Sequence, residues 1–155
     1  MAIARGAGTE IIRTALFRRA GAVGGGLKLI VGVQHHIYTV LSFTCRCSAR
    51  SGTQSSDLWL QGYDAGVGTT DQVIQIAHIS IAAGDTYVWN DKFSFNGYEP
   101  VDFTGPISTI AMQDAIADQG NTGTFPTGSQ YLKFDTDGTS TYYDLTITFI
   151  DQNNA

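Results

Sequence analysis

From residue 27 to residue 50 the chain reads LKLIVGVQHHIYTVLSFTCRCSAR, two apolar runs meeting across a polar turn at Gln34, His35 and His36. The first run alternates Leu27, Leu29, Val31 and Val33 on one face. In the second, the odd positions are Ile37, Thr39, Leu41, Phe43, Cys45 and Cys47, and the even ones include Ser42, Thr44 and Arg46. A period of two over a dozen residues predicts a half-buried strand over 37–48, with one face toward a core and one toward water. The two runs together predict a pair of strands that founds the body of the protein.

The remainder continues in the same manner. Residues 57–61 (DLWLQ) form a short aromatic run, and 73–81 is β-branched and apolar almost throughout, which predicts a strand covered on both faces. Strands are expected over 85–89, 92–95 and 98–103, and Asn96-Gly97 between the last two predicts a hairpin because both turn positions favour positive φ. Residues 107–112 are another candidate strand, and 113–119 reads as a helical turn or as loop. Near the end, 130–135 and 141–150 flank Asp137-Gly138, a second hairpin signal, and Tyr143, Leu145, Ile147 and Phe149 alternate with Thr146 and Thr148. Eight or nine short strands without an amphipathic helix between them predict an all-β fold, an antiparallel β-sandwich of jelly-roll or immunoglobulin-like type. The Gly-, Ser- and Thr-rich stretches 51–56, 63–70 and 118–129 are the expected loops.

Residues 1–26 stand apart as a basic, glycine-flanked N-terminal arm, leaving 27–155 as the sandwich body. Within the arm, glycines at 6, 8, 21, 24, 25 and 26 bracket an apolar piece over 11–17. Thr9 offers a helix cap with Ile12, Ala15 and Leu16 on one face, but the β-branched Thr9, Ile11, Ile12 and Thr14 favour an extended arm. Charge sharpens the division: residues 1–50 carry seven Lys and Arg against Glu10 (7 − 1 = +6), and 51–155 carry Lys92 and Lys133 against thirteen acids (2 − 13 = −11). Such a split predicts a basic segment seeking an acidic surface. The whole chain has a net charge of −5, and four arginines interleaved with Ile, Leu and Phe describe a strip that buries as well as pairs, so a protein surface is expected in preference to nucleic acid. Arg5, Ile11, Ile12, Arg13, Leu16, Phe17, Arg18 and Arg19 are therefore the candidate partner-binding residues. Charged residues are only 15% of the chain, a composition suited to faces that become covered. The apolar runs fall well short of the ~18 residues that suggest a membrane span.

Catalytic and metal chemistry find little support. His35, His36, Cys45 and Cys47 invite a zinc reading, but a strand from 36 to 45 extends for roughly 30 Å, so these groups do not converge within one chain. Cys45 and Cys47 lie two apart on one face, roughly 6.5–7 Å along the strand, too far for a disulfide, and read as small buried apolar residues. Asp135-Thr136-Asp137-Gly138 lacks the glycine at position 6 and the glutamate at position 12 of a calcium loop, where Ser140 and Thr146 stand. Asp85, Asp91, Glu99 and Asp102 supply acids without a spacing that pairs them, and no nucleophile elbow or phosphate loop occurs. No enzyme activity, cofactor or metal is expected.

The order of 27–51, a β-branched strand, and ISIAAGDTYVWNDKFSFNGYEPVDF resembles small β-sandwich virion proteins of tailed bacteriophages. The features that carry it are the strand, turn and long strand of 27–50, then Ala83-Gly84-Asp85-Thr86, the aromatic strand at Tyr87 to Trp89, and the tight turn at Asn96-Gly97. It spans 27–103, and departs from the pattern where Gln34-His35-His36 replaces a glycine- and proline-rich approach to the long strand. The resemblance implies a capsid decoration or cement protein, a homo-oligomer with a trimer favoured, located on the capsid surface and bound to the major capsid protein or another virion protein. A tail, neck or fibre-associated protein is the alternative within that class. A carbohydrate-binding module is the alternative outside it, if Trp59, Tyr87 and Trp89 line one flat face.

Overall fold

The structure, a computed structural model, describes residues 9–20, 26–50, 52, 55–100, 104–118, 128–137 and 141–153. The described elements are β1 (Thr9–Ala20), β2 (Leu27–Val31), β3 (His36–Ala49), β4 (Ser56–Asp64), β5 (Thr69–Ile79), β6 (Thr86–Trp89), β7 (Phe93–Asn96), α1 (Ile110–Asp118), β8 (Tyr131–Thr136) and β9 (Tyr142–Asn153). They build two antiparallel sheets. The first has the order β1-β9-β3-β6 with β7 also on β3, and the second β2-β8-β4-β5. The expected all-β antiparallel sandwich is the observed architecture.

Period-two patterning explains why the sheets face each other. Along β9 every second residue from Tyr143 to Asp151 is buried, and on β3 Tyr38, Val40, Phe43, Cys45 and Cys47 do the same across a bulge between Val40 and Ser42. Opposite them, Ile30, Leu58, Leu132, Phe134, Ala77 and Ile79 line the second sheet. Phe134 meets the edge of Tyr143 with ring centroids 5.2 Å apart and packs at 6.1 Å on Phe43, so aromatic contacts cross the middle of the sandwich. Cys45 and Cys47 are fully buried free thiols in this layer.

Several connections differ from the sequence expectation. The strands on either side of Gln34-His35-His36 do not pair: β2 lies on β8 in one sheet, and β3 lies in the other. His35 takes φ +63°, and His36 N–H donates to Val33 O at 3.1 Å, so this turn carries the chain from sheet to sheet. The Asp137-Gly138 signal also stands between strands of different sheets, where Asp137 is held by Ser55 through its main-chain N–H and its carboxylate. Gly97 is not a hairpin apex. Its backbone approaches Gly32 and Val33 so closely that a Cβ on Gly97 would lie 1.9 Å from Val33 O, and one on Gly32 would lie 1.9 Å from Gly97 O. The same signal residues serve close backbone approach there. The candidate strand 107–112 is helix from Ile110, because Thr109 caps it, accepting at Oγ1 from Met112 N–H (3.3 Å), and Ala111, Met112 and Gln113 are strong helix formers.

Among the described residues the hairpin is β4–β5, joined through 65–68 and paired from Ser56↔Ile79 to Asp64↔Thr69. Its second strand was expected to be covered on both faces. Instead β5 is an edge strand. Ala77 and Ile79 are buried at its base, but 69–75 is exposed on both faces because the hairpin tip projects beyond the core.

Candidate functional site

Two long strands border open edges. β1 pairs with β9 through ten registered positions, from Thr9↔Asn153 to Ala20↔Tyr143, and among the described residues no strand lies on its other side. Within the arm expected over 1–26, residues 9–20 are thus an edge strand on their own chain, where the β-branched residues favour the extended form, and 1–8 and 21–25 lie outside the described residues.

Register divides the candidate partner-binding residues between two faces. Arg13, Ala15 and Phe17 stand opposite Phe149, Ile147 and Leu145, on the core side, and Ala15 and Phe17 pack against the core. Ile11 shares that side at the rim, opposite Asp151. Ile12, Thr14 and Leu16 stand opposite Ile150, Thr148 and Thr146 on the outer face, where Thr14 and Thr148 share a hydroxyl hydrogen bond of 3.1 Å. Ile12 is 69% and Leu16 77% exposed, so each presents an apolar side chain to solvent. Arg18 is exposed and borders a shallow groove of about 330 Å³ with Ser48, Ala49, Tyr142 and Asp144. Arg19 lies in β1 with its side chain outside the described residues, and Arg5 lies outside them altogether.

Arg13 has an internal task. Its Nε donates to Asp151 Oδ2 at 2.9 Å, and Asp151 Oδ1 lies 2.6 Å from His36 Nδ1, so one buried carboxylate ties β1 to the start of β3. His36 stacks on Tyr38, whose hydroxyl accepts the Val33 N–H at 3.2 Å. Burial, with the Asp151 charge adding to it, raises the Tyr38 phenol above its ordinary range. Sequence reasoning missed this clamp, because Asp151 continues the buried parity of β9 but is separated from Arg13 by 138 residues.

The second open edge is β5. Val73 and Ile74 are 46% and 64% exposed, and a groove of about 420 Å³ runs along the hairpin beside Leu60, Tyr63, Val73 and Ile74. Glu99 anchors the tip: its carboxylate accepts from Asp71 N–H at 3.1 Å and Gly128 N–H at 3.4 Å. Burial raises its pKa, and those two N–H donors oppose the rise. On the sheet's outer face Asp57 accepts from Gln75 and meets His78 Nδ1 at 2.7 Å.

No family model matches the chain, and no curated protein matches it. In three dimensions it is similar to a chain in the crystal structure of the T13 IBDV viral particle, with a TM-score of 0.40 and 11% identity over 96% of its residues. This chain spans 36% of that neighbour's length.

The remaining candidate chemistry does not assemble. His36 sits at the start of β3, and Cys45 and Cys47 are buried in the core farther along it; burial raises both thiols, most strongly Cys45. Among the described residues no group of three or more His, Cys, Asp or Glu is placed to hold a metal ion. Asp102 lies outside the described residues. Tyr87 and Trp89 pack against the core from the first sheet, whereas Trp59 stands opposite Lys133 in the second, so the three aromatics do not share a face.

Proposed function

We propose that this protein is a non-catalytic structural virion component that binds the outside of a phage capsid and cements neighbouring capsid subunits. The observation that carries this reading is β1: a twelve-residue strand with an open main-chain edge, exposed Ile12 and Leu16, and the exposed Arg18. An open edge offers unpaired N–H and C=O groups, apolar side chains exclude water at a contact, and arginine selects an acidic neighbour. The resemblance of 27–103 to small phage virion proteins supports the class. Its action is mechanical: area buried across the joints between subunits stabilises the assembled shell over its parts by mass action. The protein acts as a homo-oligomer, with a trimer suited to the three-fold positions of a shell, and the β1 strip lies against a capsid protein or a neighbouring copy.

The test uses substitutions at exposed positions, because removing β1 would uncover β9 and strip Ala15 and Phe17 from the core. Ile12→Glu with Leu16→Glu is expected to leave the thermal unfolding midpoint within a few degrees and to abolish co-sedimentation with purified capsids. Capsids lacking the protein are expected to release their contents at a lower temperature. Undiminished co-sedimentation of the folded variant would overturn the reading.

A further inference from the structure

We infer that β5 is the receiving edge for β1 of a second copy of this chain, so that copies join head to tail through a shared sheet. The inference rests on the reading that β1 is a contact strip, and names its partner.

Four observations converge on it. The first is matching form: β1 has twelve residues and β5 eleven, each is the last strand of its sheet, and among the described residues each pairs on one side only. An antiparallel or parallel addition of one to the other satisfies a row of main-chain groups on both.

The second is an absence of protection at β5. Edge strands of solitary proteins are commonly guarded by lysine or proline, and residues 51–91 contain no Lys, Arg or Pro. In β5, Val73 and Ile74 are neighbours on opposite faces, the pattern of a strand covered on both sides, yet both are exposed, whereas Ile76, at the bulge, packs against the core. A neighbouring copy supplies the missing cover.

Charge provides the third. The hairpin from Ser56 to Ile79 carries Asp57, Asp64 and Asp71 with no Lys or Arg, whereas β1 carries Arg18 and Arg19 with Glu10, besides Arg13, which pairs with Asp151 of its own chain. Like edges repel, β1 against β1 and β5 against β5, while β1 against β5 attracts.

The fourth is position. β1 and β2, successive in the chain, are each an edge of their sheet, and β5 and β6 are likewise edges joined by 80–85. The open edges of the two long strands, β1 and β5, therefore belong to opposite flanks of the sandwich. A junction between different surfaces is heterologous, and it repeats until a ring closes or a filament grows.

The experiment is sedimentation velocity of the full chain without capsids, from micromolar to millimolar concentration, on the wild type and two variants. Ile12→Glu/Leu16→Glu blocks β1, and Val73→Lys/Ile74→Lys blocks β5; circular dichroism and thermal unfolding confirm that both fold. The wild type is expected to show species larger than one chain, more so at low salt. Each variant alone is expected to sediment as a single chain, and an equimolar mixture as a heterodimer, because one β1 and one β5 remain intact in the mixture. A wild type that stays monomeric at millimolar concentration overturns the inference, as does self-association of either variant alone, or a mixture that fails to form the heterodimer. Capsid binding is scored separately. Monomer in solution with capsid binding intact removes this inference and leaves the virion reading standing; head-to-tail association without capsid binding does the reverse.

Discussion

Replacing Gly97 with alanine tests the junction that holds one end of the sandwich. An alanine Cβ would stand 1.9 Å from Val33 O, where ordinary van der Waals contact begins at 3.4 Å, so the two backbone segments must separate by 3.4 − 1.9 = 1.5 Å or rotate equivalently. Three main-chain hydrogen bonds converge on this point: Gly97 N–H to His36 O at 2.8 Å, Gln130 N–H to Gly97 O at 2.8 Å, and Gly32 N–H to Gln130 O at 2.9 Å. A displacement of that size breaks at least two. At about 1 kcal/mol net each, with a further ~1–3 kcal/mol where a buried group is left unpaired, the loss is about 3–5 kcal/mol. Alanine returns roughly 0.4–1 kcal/mol by restricting the unfolded chain, so the expected net destabilisation is about 3 kcal/mol. Equilibrium urea unfolding measures it. With a slope of roughly 1–3 kcal/mol/M the midpoint falls by about 1–3 M at unchanged slope. Gly32→Ala strikes the same contact from the other side, so the double variant is expected to cost clearly less than the sum of the singles. Gly128→Ala, which has open space for a Cβ, serves as the control and is expected to be neutral or stabilising by up to ~1 kcal/mol. An unchanged midpoint for Gly97→Ala would refute the close-approach argument.

Asp151→Ala removes the carboxylate that bridges Arg13 and His36. Because the Arg13 side chain is half exposed and regains water, the cost is set at about 1–2 kcal/mol, below that of a fully buried pair. Amide exchange of Ile12 and Thr14 is expected to quicken by roughly tenfold for each ~1.4 kcal/mol, and unchanged exchange in β1 would show that the clamp does not hold the strand. Glu99 gives the pH signature. Its carboxyl is raised in the folded state, chiefly by burial, so the folded chain holds this proton more tightly than the unfolded chain. Its contribution is therefore fully present below the ordinary glutamate range and is lost as pH rises through the raised folded value. The stability of the wild type minus that of Glu99→Gln is expected to decline with pH over that interval in urea titrations, and a flat or rising difference would contradict the assignment.

The alternation along 37–48 and 141–150 was enough to establish strands, and it placed Phe43, Cys45, Leu145 and Ile147 on the buried side, but the bulge between Val40 and Ser42 reverses the parity before it, so that Tyr38 and Val40 are buried in place of the expected Ile37, Thr39 and Leu41. The same local rule failed at the connections. A turn signal reports that the chain changes direction, and His35, Gly97 and Asp137 all do so, but a reversal within one sheet and a crossing to the other use the same permissive residues. At 107–112 the isoleucines suggested a strand, and the Thr109 cap with its following helix formers prevailed.

Part of the candidate site was legible in the same way. The sequence by itself indicated a basic arm over 1–26 with an apolar, extended piece at 11–17, and a strand over 73–81 apolar on both faces. Only the tertiary structure decided that Arg13 and Phe17 face their own body, that Ile12, Leu16 and Arg18 remain exposed on β1, and that Val73 and Ile74 are uncovered on β5. Composition and periodicity are properties of neighbours along the chain. Which strand ends a sheet depends on contacts between residues more than a hundred positions apart, such as Arg13 with Asp151, and those exist once both sheets have closed on the core.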